Sequence, residues 1–388
     1  MTPRLLHVIT RLCVGGAQLT LLESAKDLAG EYDIAVAHGP DVGDEGSIEQ
    51  RVRDCFATYL VPCLRRSILP RQDVHAVRVL RAIYGVAQPS IVHTHSSKAG
   101  ILGRAAADRT PARIVHSIHG WGHTPMDPPW TRRLLICAER MAAKRADILI
   151  AVSGDVRDEG LQLGIGQPAQ YRVVPEYVDY DAVSDDYGAA RLTARAELGV
   201  PQDVPLVGWV GRFMPQKDPT TLARAVARTL QLKPDAWAAF VGDGPHREEV
   251  ERVLGAAGVS GRARFAGFRA DVRHLYPGFD VLLHTSRYEG QPRVVQEAIA
   301  ERIPVVTARV SGTRDLLSAG DVGTEVEAGA SDAMAEELVR RLSDPSLRAP
   351  LGAGAIAEVA TRNGRDASRR LHREVYAQLV AMGPRSPA

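Results

Sequence analysis

Aromatic residues are scarce in this chain, and neither sign of charge is in excess. Tryptophan, tyrosine and phenylalanine make up 5% of its 388 residues, and 48 basic against 46 acidic side chains leave a formal charge of +2. A nucleic-acid binder would carry a basic excess or stripe, so that class is set aside. There are four cysteines, Cys13, Cys55, Cys63 and Cys137, with no C-x-x-C pair. Most have apolar surroundings in sequence, which reads as free thiols in a reducing compartment. No apolar run reaches the ~18 residues of a membrane span. The N-terminal apolar run is broken by His7 and reads as a strand, not a secretory leader. The expected location is the cytoplasm.

What is present is alternation. At roughly 100–200 residues per domain, the length implies two domains. Strand-like runs occur at Leu5–Thr10, Asp33–His38, Ile91–His95, Arg113–His119, Asp147–Val152 and Arg172–Pro175. A second series follows at Leu206–Val210, Ala236–Val241, Ala263–Ala266, Asp280–Thr285 and Pro304–Thr307. Amphipathic stretches such as Gln18–Ala29, Lys98–Asp108 and Trp130–Arg145 separate them. Continuous apolar strands between helices mean parallel sheets covered on both faces. The expected fold class is therefore α/β, with two Rossmann-like doubly wound domains facing across a cleft. Residues 1–180 form the first domain, 181–204 a linker that carries a short helix, and 205–365 the second; the chain is acidic where the linker begins (Asp179, Asp181, Asp185, Asp186). A closing helix over 366–388 is left to pack back on the first domain.

Such sheets bind ligands at the carboxyl ends of their strands, so the candidate residues are those that follow strands. Gly15-Gly16 opens the first helix and would let backbone amides approach an anion, although a tight turn reads the same way. Arg212 and Lys217, five residues apart in a glycine-bearing loop, can grip a diphosphate without a metal; two solvated surface cations would look alike. The turn Gly242-Asp243-Gly244-Pro245 serves backbone geometry. Glu289 and Glu297, eight positions apart across a strand-to-helix loop, offer two acceptors to vicinal hydroxyls, with helix amides near Val294 and Val295 facing phosphate between them. A surface capping pair has the same spacing. His93, His95, His116, His119 and His123 cluster. The pair His93-x-His95 invites a metal, but no carboxylate or cysteine joins it at ligand spacing, so no metal is assigned.

In this order the residues resemble glycosyltransferase family 4, over nearly the full chain. The most specific part is Glu289 and Glu297 followed by Ala298-Ile299-Ala300-Glu301-Arg302-Ile303-Pro304-Val305-Val306. The segment Val92-His93-Thr94-His95-Ser96-Ser97-Lys98-Ala99-Gly100-Ile101-Leu102-Gly103-Arg104 looks like a branch working on polysaccharide and lipid-linked acceptors. The resemblance implies the GT-B fold and retaining transfer of a hexose-type sugar from a UDP- or GDP-sugar to a glycan, polyprenol-linked or small-molecule hydroxyl. By the same resemblance His119, Arg212, Lys217 and Glu289 are catalytic. Gly15, Gly16, Arg212, Lys217, Phe268, Glu289, Gly290, Val294, Val295 and Glu297 bind the donor, with no metal or other cofactor.

Two segments depart from the family pattern. Glu176-Tyr177 stands where relatives usually carry Asn-Gly, and Ser311-Gly312-Thr313-Arg314-Asp315 replaces a usual Gly-Gly with a following glutamate. The stretches Pro128–Cys137 and Cys63–Arg71 mix cations with apolar residues and suit an anionic lipid surface, or ordinary packing beneath a solvated face. Peripheral contact with the inner face of the membrane is thus left open. Rival readings are a GT-B sugar-nucleotide epimerase or phosphorylase, and a non-catalytic sugar-nucleotide-binding module. A phosphorylase would need a lysine placed for pyridoxal phosphate, and none has that context.

Overall fold

The apolar runs become the strands of two parallel sheets, each in its own unit. The computed structural model describes residues 2–41, 46–181, 186–318 and 321–386. One unit comprises Met1–Tyr177 with Arg365–Ala388, the other Val178–Gly364.

The first unit carries β1 (Arg4–Ile9), β2 (Asp33–His38), β3 (Ala57–Leu60), β4 (Ile91–His95), β5 (Arg113–Ile118), β6 (Ile148–Ala151) and β7 (Tyr171–Val173). Their spatial order is β3-β2-β1-β4-β5-β6-β7, and all pairs are parallel. Strand order therefore reverses beside β1 and β4, where crossover helices leave to opposite faces and open a crevice at the strand ends. Parallel pairing of β1 with β4 sets His7 opposite His93. The last helix, Arg365–Ala381, adds Val375, Tyr376 and Leu379 to the cluster around Leu5, Ile91 and Val115.

The second unit carries β8 (Leu206–Val210), β9 (Trp237–Val241), β10 (Ala263–Gly267), β11 (Val281–His284), β12 (Val305–Ala308) and β13 (Gly323–Val326) in the order β10-β9-β8-β11-β12-β13. These pairs too are parallel. Successive residues of a strand point to opposite faces. Leu206, Leu282 and Val305 accordingly join Ile299 on one side, while Val207, Trp209, Phe240 and Leu283 join Leu222 on the other. The reversal here lies between β8 and β11.

Several expectations need correction. The short helix expected in the linker is Tyr187–Leu198; it is capped by the Asp186 side chain and is grouped with the second unit. Its Arg195 is fully buried, pairs with Asp280 at 2.8 Å and bonds the carbonyls of Pro201, Gln202 and Val204. Asp185 lies outside the described residues. Strands β3 and β13 escaped sequence reading because they are sheet edges with partly exposed, mixed residues. Cys55 and Cys137 are exposed, which their neighbours in sequence did not suggest, and all four thiols are free.

Candidate active site

At the switch point of the second sheet, the loops after β8 and β11 are tied to each other. The first ends in a short turn, Pro215–Lys217, and in Asp218, whose carboxylate caps helix Pro219–Leu232 by accepting from Thr221 N. Thr285 Oγ1 donates to the Lys217 carbonyl at 2.6 Å, and Arg287 pairs with Asp218 at 3.0 Å. Gly242 has φ +135° and faces the start of the post-β8 loop; a Cβ there would lie 1.8 Å from the Gly211 carbonyl oxygen, so only glycine fits.

These ties bring Lys217 Nζ within 2.5 Å of Glu289 Oε1. Ser286 Oγ donates to the same oxygen at 2.8 Å, and Gln216 Nε2 to the other at 3.2 Å. His284 Nε2 stands 3.6 Å from Glu289 Oε1, just beyond hydrogen-bond reach. Burial pushes the Glu289 carboxyl up, but Lys217 and His284 outweigh it and hold the group well below the usual carboxylate range. Glu289 is therefore an anion at any working pH. It can accept hydrogen bonds from hydroxyls, but it is no proton donor.

Glu297 sits on the following helix, Arg293–Ala300, with Arg293 Nε at 2.8 Å and Tyr276 OH at 3.2 Å. Arg212 is half-buried in the post-β8 loop. Phe268 is 52% exposed just beyond Gly267, at the end of β10. Gly290 is buried, with its carbonyl oxygen 2.7 Å from where a Cβ on Gly312 would stand. Val294 is half-buried and Val295 fully buried against the core. The Val295 amide donates to Pro292 O at 3.1 Å, so it is not open to phosphate as expected. The helix begins on Pro292 with a tight turn that consumes this donor.

The first unit holds the other expected residues. Gly15 precedes helix Gly16–Leu28 in extended conformation, φ −172°, which any residue adopts. His119 follows β5 with both ring nitrogens engaged: Nδ1 lies 2.8 Å from Glu176 Oε1, and Nε2 lies 3.1 Å from His95 Nδ1. A polar contact between His119 Nε2 and a donor would have to displace His95. His95 Nε2 in turn lies 2.9 Å from His7 Nδ1. His93 bonds Tyr376 OH at 2.6 Å and Ser117 Oγ at 2.8 Å.

His7, His93 and His95 present ring nitrogens within 4.8 Å of one another, all buried. The register of β1 on β4 thus supplies the third imidazole that the spacing of His93 and His95 alone did not reveal. Burial keeps these rings neutral, lowering His7 to about 3 and the other two well below their ordinary value. A cation here would have to break existing bonds, since both nitrogens of His93 are already taken.

Two family models match in succession: Glycosyltransferase Family 4 over residues 14–182 and Glycosyl transferases group 1 over residues 190–357. A D-inositol 3-phosphate glycosyltransferase of Kineococcus radiotolerans is 30% identical over 315 residues, 75% of this chain and 72% of that protein. The chain belongs to the family 4 glycosyltransferases. An Escherichia coli UDP-Gal:alpha-D-GlcNAc-diphosphoundecaprenol alpha-1,3-galactosyltransferase is 26% identical over 349 residues, 89% of each chain. Among solved structures, Anabaena HepE in complex with UDP and glucose superposes with a TM-score of 0.82 at 22% identity, covering 97% of this chain and 99% of that one. The fold of this glycosyltransferase is accordingly GT-B. An epimerase, a phosphorylase or a non-catalytic module is not the reading that its relatives support. Sequence reasoning missed Glu176 as the partner of His119 and Gln216 and Ser286 as partners of Glu289. Glu176 stood out only as a departure from the usual Asn-Gly.

Proposed function

We propose that this glycosyltransferase moves a hexose from a nucleoside diphosphate sugar, with uridine as the nucleoside, to a hydroxyl of a glycan or polyprenol-linked acceptor, with retention and without a metal. The observation that carries this is the Lys217–Glu289 pair at the carboxyl edge of the second sheet. Lys217 is 20% exposed in its side chain and offers a mobile cation that can move from Glu289 to a donor phosphate. Arg212, in the same loop, supplies a planar fork for the diphosphate. Together they would stabilise charge as the leaving group departs. Glu289, ionised and fixed by Ser286 and Gln216, would receive sugar hydroxyls, and Glu297 the ribose. Phe268 and Gly290 complete the donor side in the second unit; His119, Gly15 and Gly16 are further donor contacts that the family resemblance implies.

Retention follows if the departing phosphate oxygen takes the acceptor's proton on the same face. The competing scheme makes Glu289 a covalent nucleophile. Its oxygens are already held by Lys217, Ser286 and Gln216, which favours the first scheme. The uridine reading draws on the UDP-Gal named for the Escherichia coli relative and the UDP bound to HepE.

For the acceptor, helix Pro129–Ala143 exposes Trp130, Leu134 and Met141 beside Arg133 and Arg140. Its one acidic residue, Glu139, is buried in a pair with Arg104. An apolar stripe edged with cations suits peripheral binding to anionic lipid. No helix among the described residues is long and apolar enough to cross a membrane. A cytoplasmic enzyme working at the inner membrane face is the reading that joins these features. A panel of UDP-, GDP-, ADP- and dTDP-sugars in thermal shift and transfer assays, with and without EDTA, tests the donor. Stabilisation and EDTA-resistant transfer with a UDP-sugar is the expected result; a strict need for a divalent metal would overturn the scheme.

A further inference from the structure

Glu176 is almost fully buried, yet it carries a carboxylate into the carboxyl edge of the first sheet. Its Oε2 accepts from Thr20 Oγ1, and its Oε1 faces His119 Nδ1 at 2.8 Å. Thr20 belongs to the helix that Gly15 and Gly16 open, and its Oγ1 also accepts from the Tyr177 amide at 3.3 Å. A single side chain thus joins that glycine-led helix to the histidine after β5.

The bonding admits one proton arrangement when the rings are neutral and Glu176 is ionised. An ionised carboxylate only accepts, so His119 Nδ1 must carry the hydrogen. His119 Nε2 is then a lone pair, and His95 Nδ1 must donate to it. His95 Nε2 must accept in turn, and His7 Nδ1 must donate. The series ends at His7 Nε2, which is left as a bare lone pair. That atom is buried with no hydrogen-bond partner. The opposite arrangement would aim a lone pair at the Glu176 carboxylate and strand an N–H at His7, which costs more. Both arrangements end at that same atom, so what separates them is the lone pair that the opposite one would set against the Glu176 carboxylate.

We propose that Glu176 is a positioning residue for His119, fixing through that histidine the tautomer of the whole His119–His95–His7 series and locking His119 to the glycine-led helix. Its bearing on transfer rests on the reading of His119 as a donor-contacting residue. A second-sphere carboxylate that sets an imidazole tautomer has a signature that plain packing lacks. Histidine nitrogens with and without hydrogen resonate far apart, and the spectrum needs no substrate.

The experiment uses the full-length chain labelled with ¹⁵N-histidine, in wild type, Glu176→Ala and the isosteric Glu176→Gln. Wild type is expected to show His119 with hydrogen on Nδ1 alone. Glu176→Ala should move it to Nε2, and Glu176→Gln, whose amide can present either face, should show both forms. In transfer assays Glu176→Ala should lower kcat/KM about 100-fold, with Glu176→Gln between it and wild type. The Gln variant keeps the volume, so it reports even if the Ala variant fails to fold. Hydrogen on Nε2 in wild type, or an unchanged Nδ1–H form in both variants, would overturn the proposal. So would wild-type transfer rates in both. If wild type transfers no sugar from any nucleotide donor, the donor reading falls, while the spectrum still decides the role of Glu176.

Discussion

In the first unit the strands around the switch point carry a buried cluster of neutral imidazoles, His7, His93 and His95, whereas in the second the polar centre is an ion pair, Lys217 with Glu289. Both sheets reverse strand order at the corresponding place, so topology alone does not explain the contrast. Position along the chain does. His7, His93 and His95 lie on strands, inside the layer that helices cover, where a charge would be stripped of water. Lys217 and Glu289 lie in loops beyond the strand ends, where 20% and 13% of their side chains still meet solvent. The first arrangement favours fixed orientation, and the second favours a charge that can change partners.

The largest expected effect comes from removing the mobile charge. Lys217→Ala should reduce kcat/KM about 10⁴-fold, equivalent to about 5 kcal/mol in the transition state. Its urea midpoint should fall as well, because Glu289 loses the cation that holds its carboxyl low, but the loss of activity should be far the larger. Steady-state kinetics alongside urea titration would show the split, and equal losses in both would blur the contrast. A fully buried pair should behave in the opposite way. Glu139→Ala strands Arg104, which is 0% exposed, and should cost about 4 kcal/mol of stability in the first unit.

Acid should separate the units next. His7, His93, His95, His116 and His372 have values lowered chiefly by burial, His372 to about 4. They stay neutral when folded but take protons when unfolded, below about pH 6.5. Each therefore stabilises the fold fully above that pH and loses about 1.4 kcal/mol per pH unit beneath it, until its folded value is reached. In the second unit His284 is lowered by burial in the same way. Glu289, held low, contributes above the ordinary carboxylate range and is lost only as pH falls through it. Hydrogen exchange at pH 7.5 and 5 should show residues 1–177 loosening before 178–364. Earlier loosening of the second unit would contradict the account. The smallest effect belongs to the surface: Trp130→Ala should change stability by less than about 0.5 kcal/mol but weaken sedimentation with anionic vesicles.

Much of the frame was legible because parallel sheets write continuous apolar runs into the chain. Asp33–His38, Ile91–His95 and Leu206–Val210 read true to their ends. Edge strands β3 and β13 did not, since an edge need not be apolar on both faces. At the site, the direct contact of Lys217 with Glu289 spans 72 residues and has no local signal. Only the family resemblance put those two residues into one site. The partnership of Glu176 with His119 depends on where β5 and β7 end, and neither spacing nor composition carries that. Val295 shows the reverse case, where a helix start promised an open amide and a proline-led turn consumed it.

The most direct test of the Lys217–Glu289 site is calorimetric titration of a UDP-sugar into wild type and Lys217→Ala, both with EDTA. Saturable binding by wild type and loss of at least about tenfold in affinity by the variant is the predicted result. Equal affinity in the two proteins, or binding by wild type only after a divalent metal is restored, would contradict it.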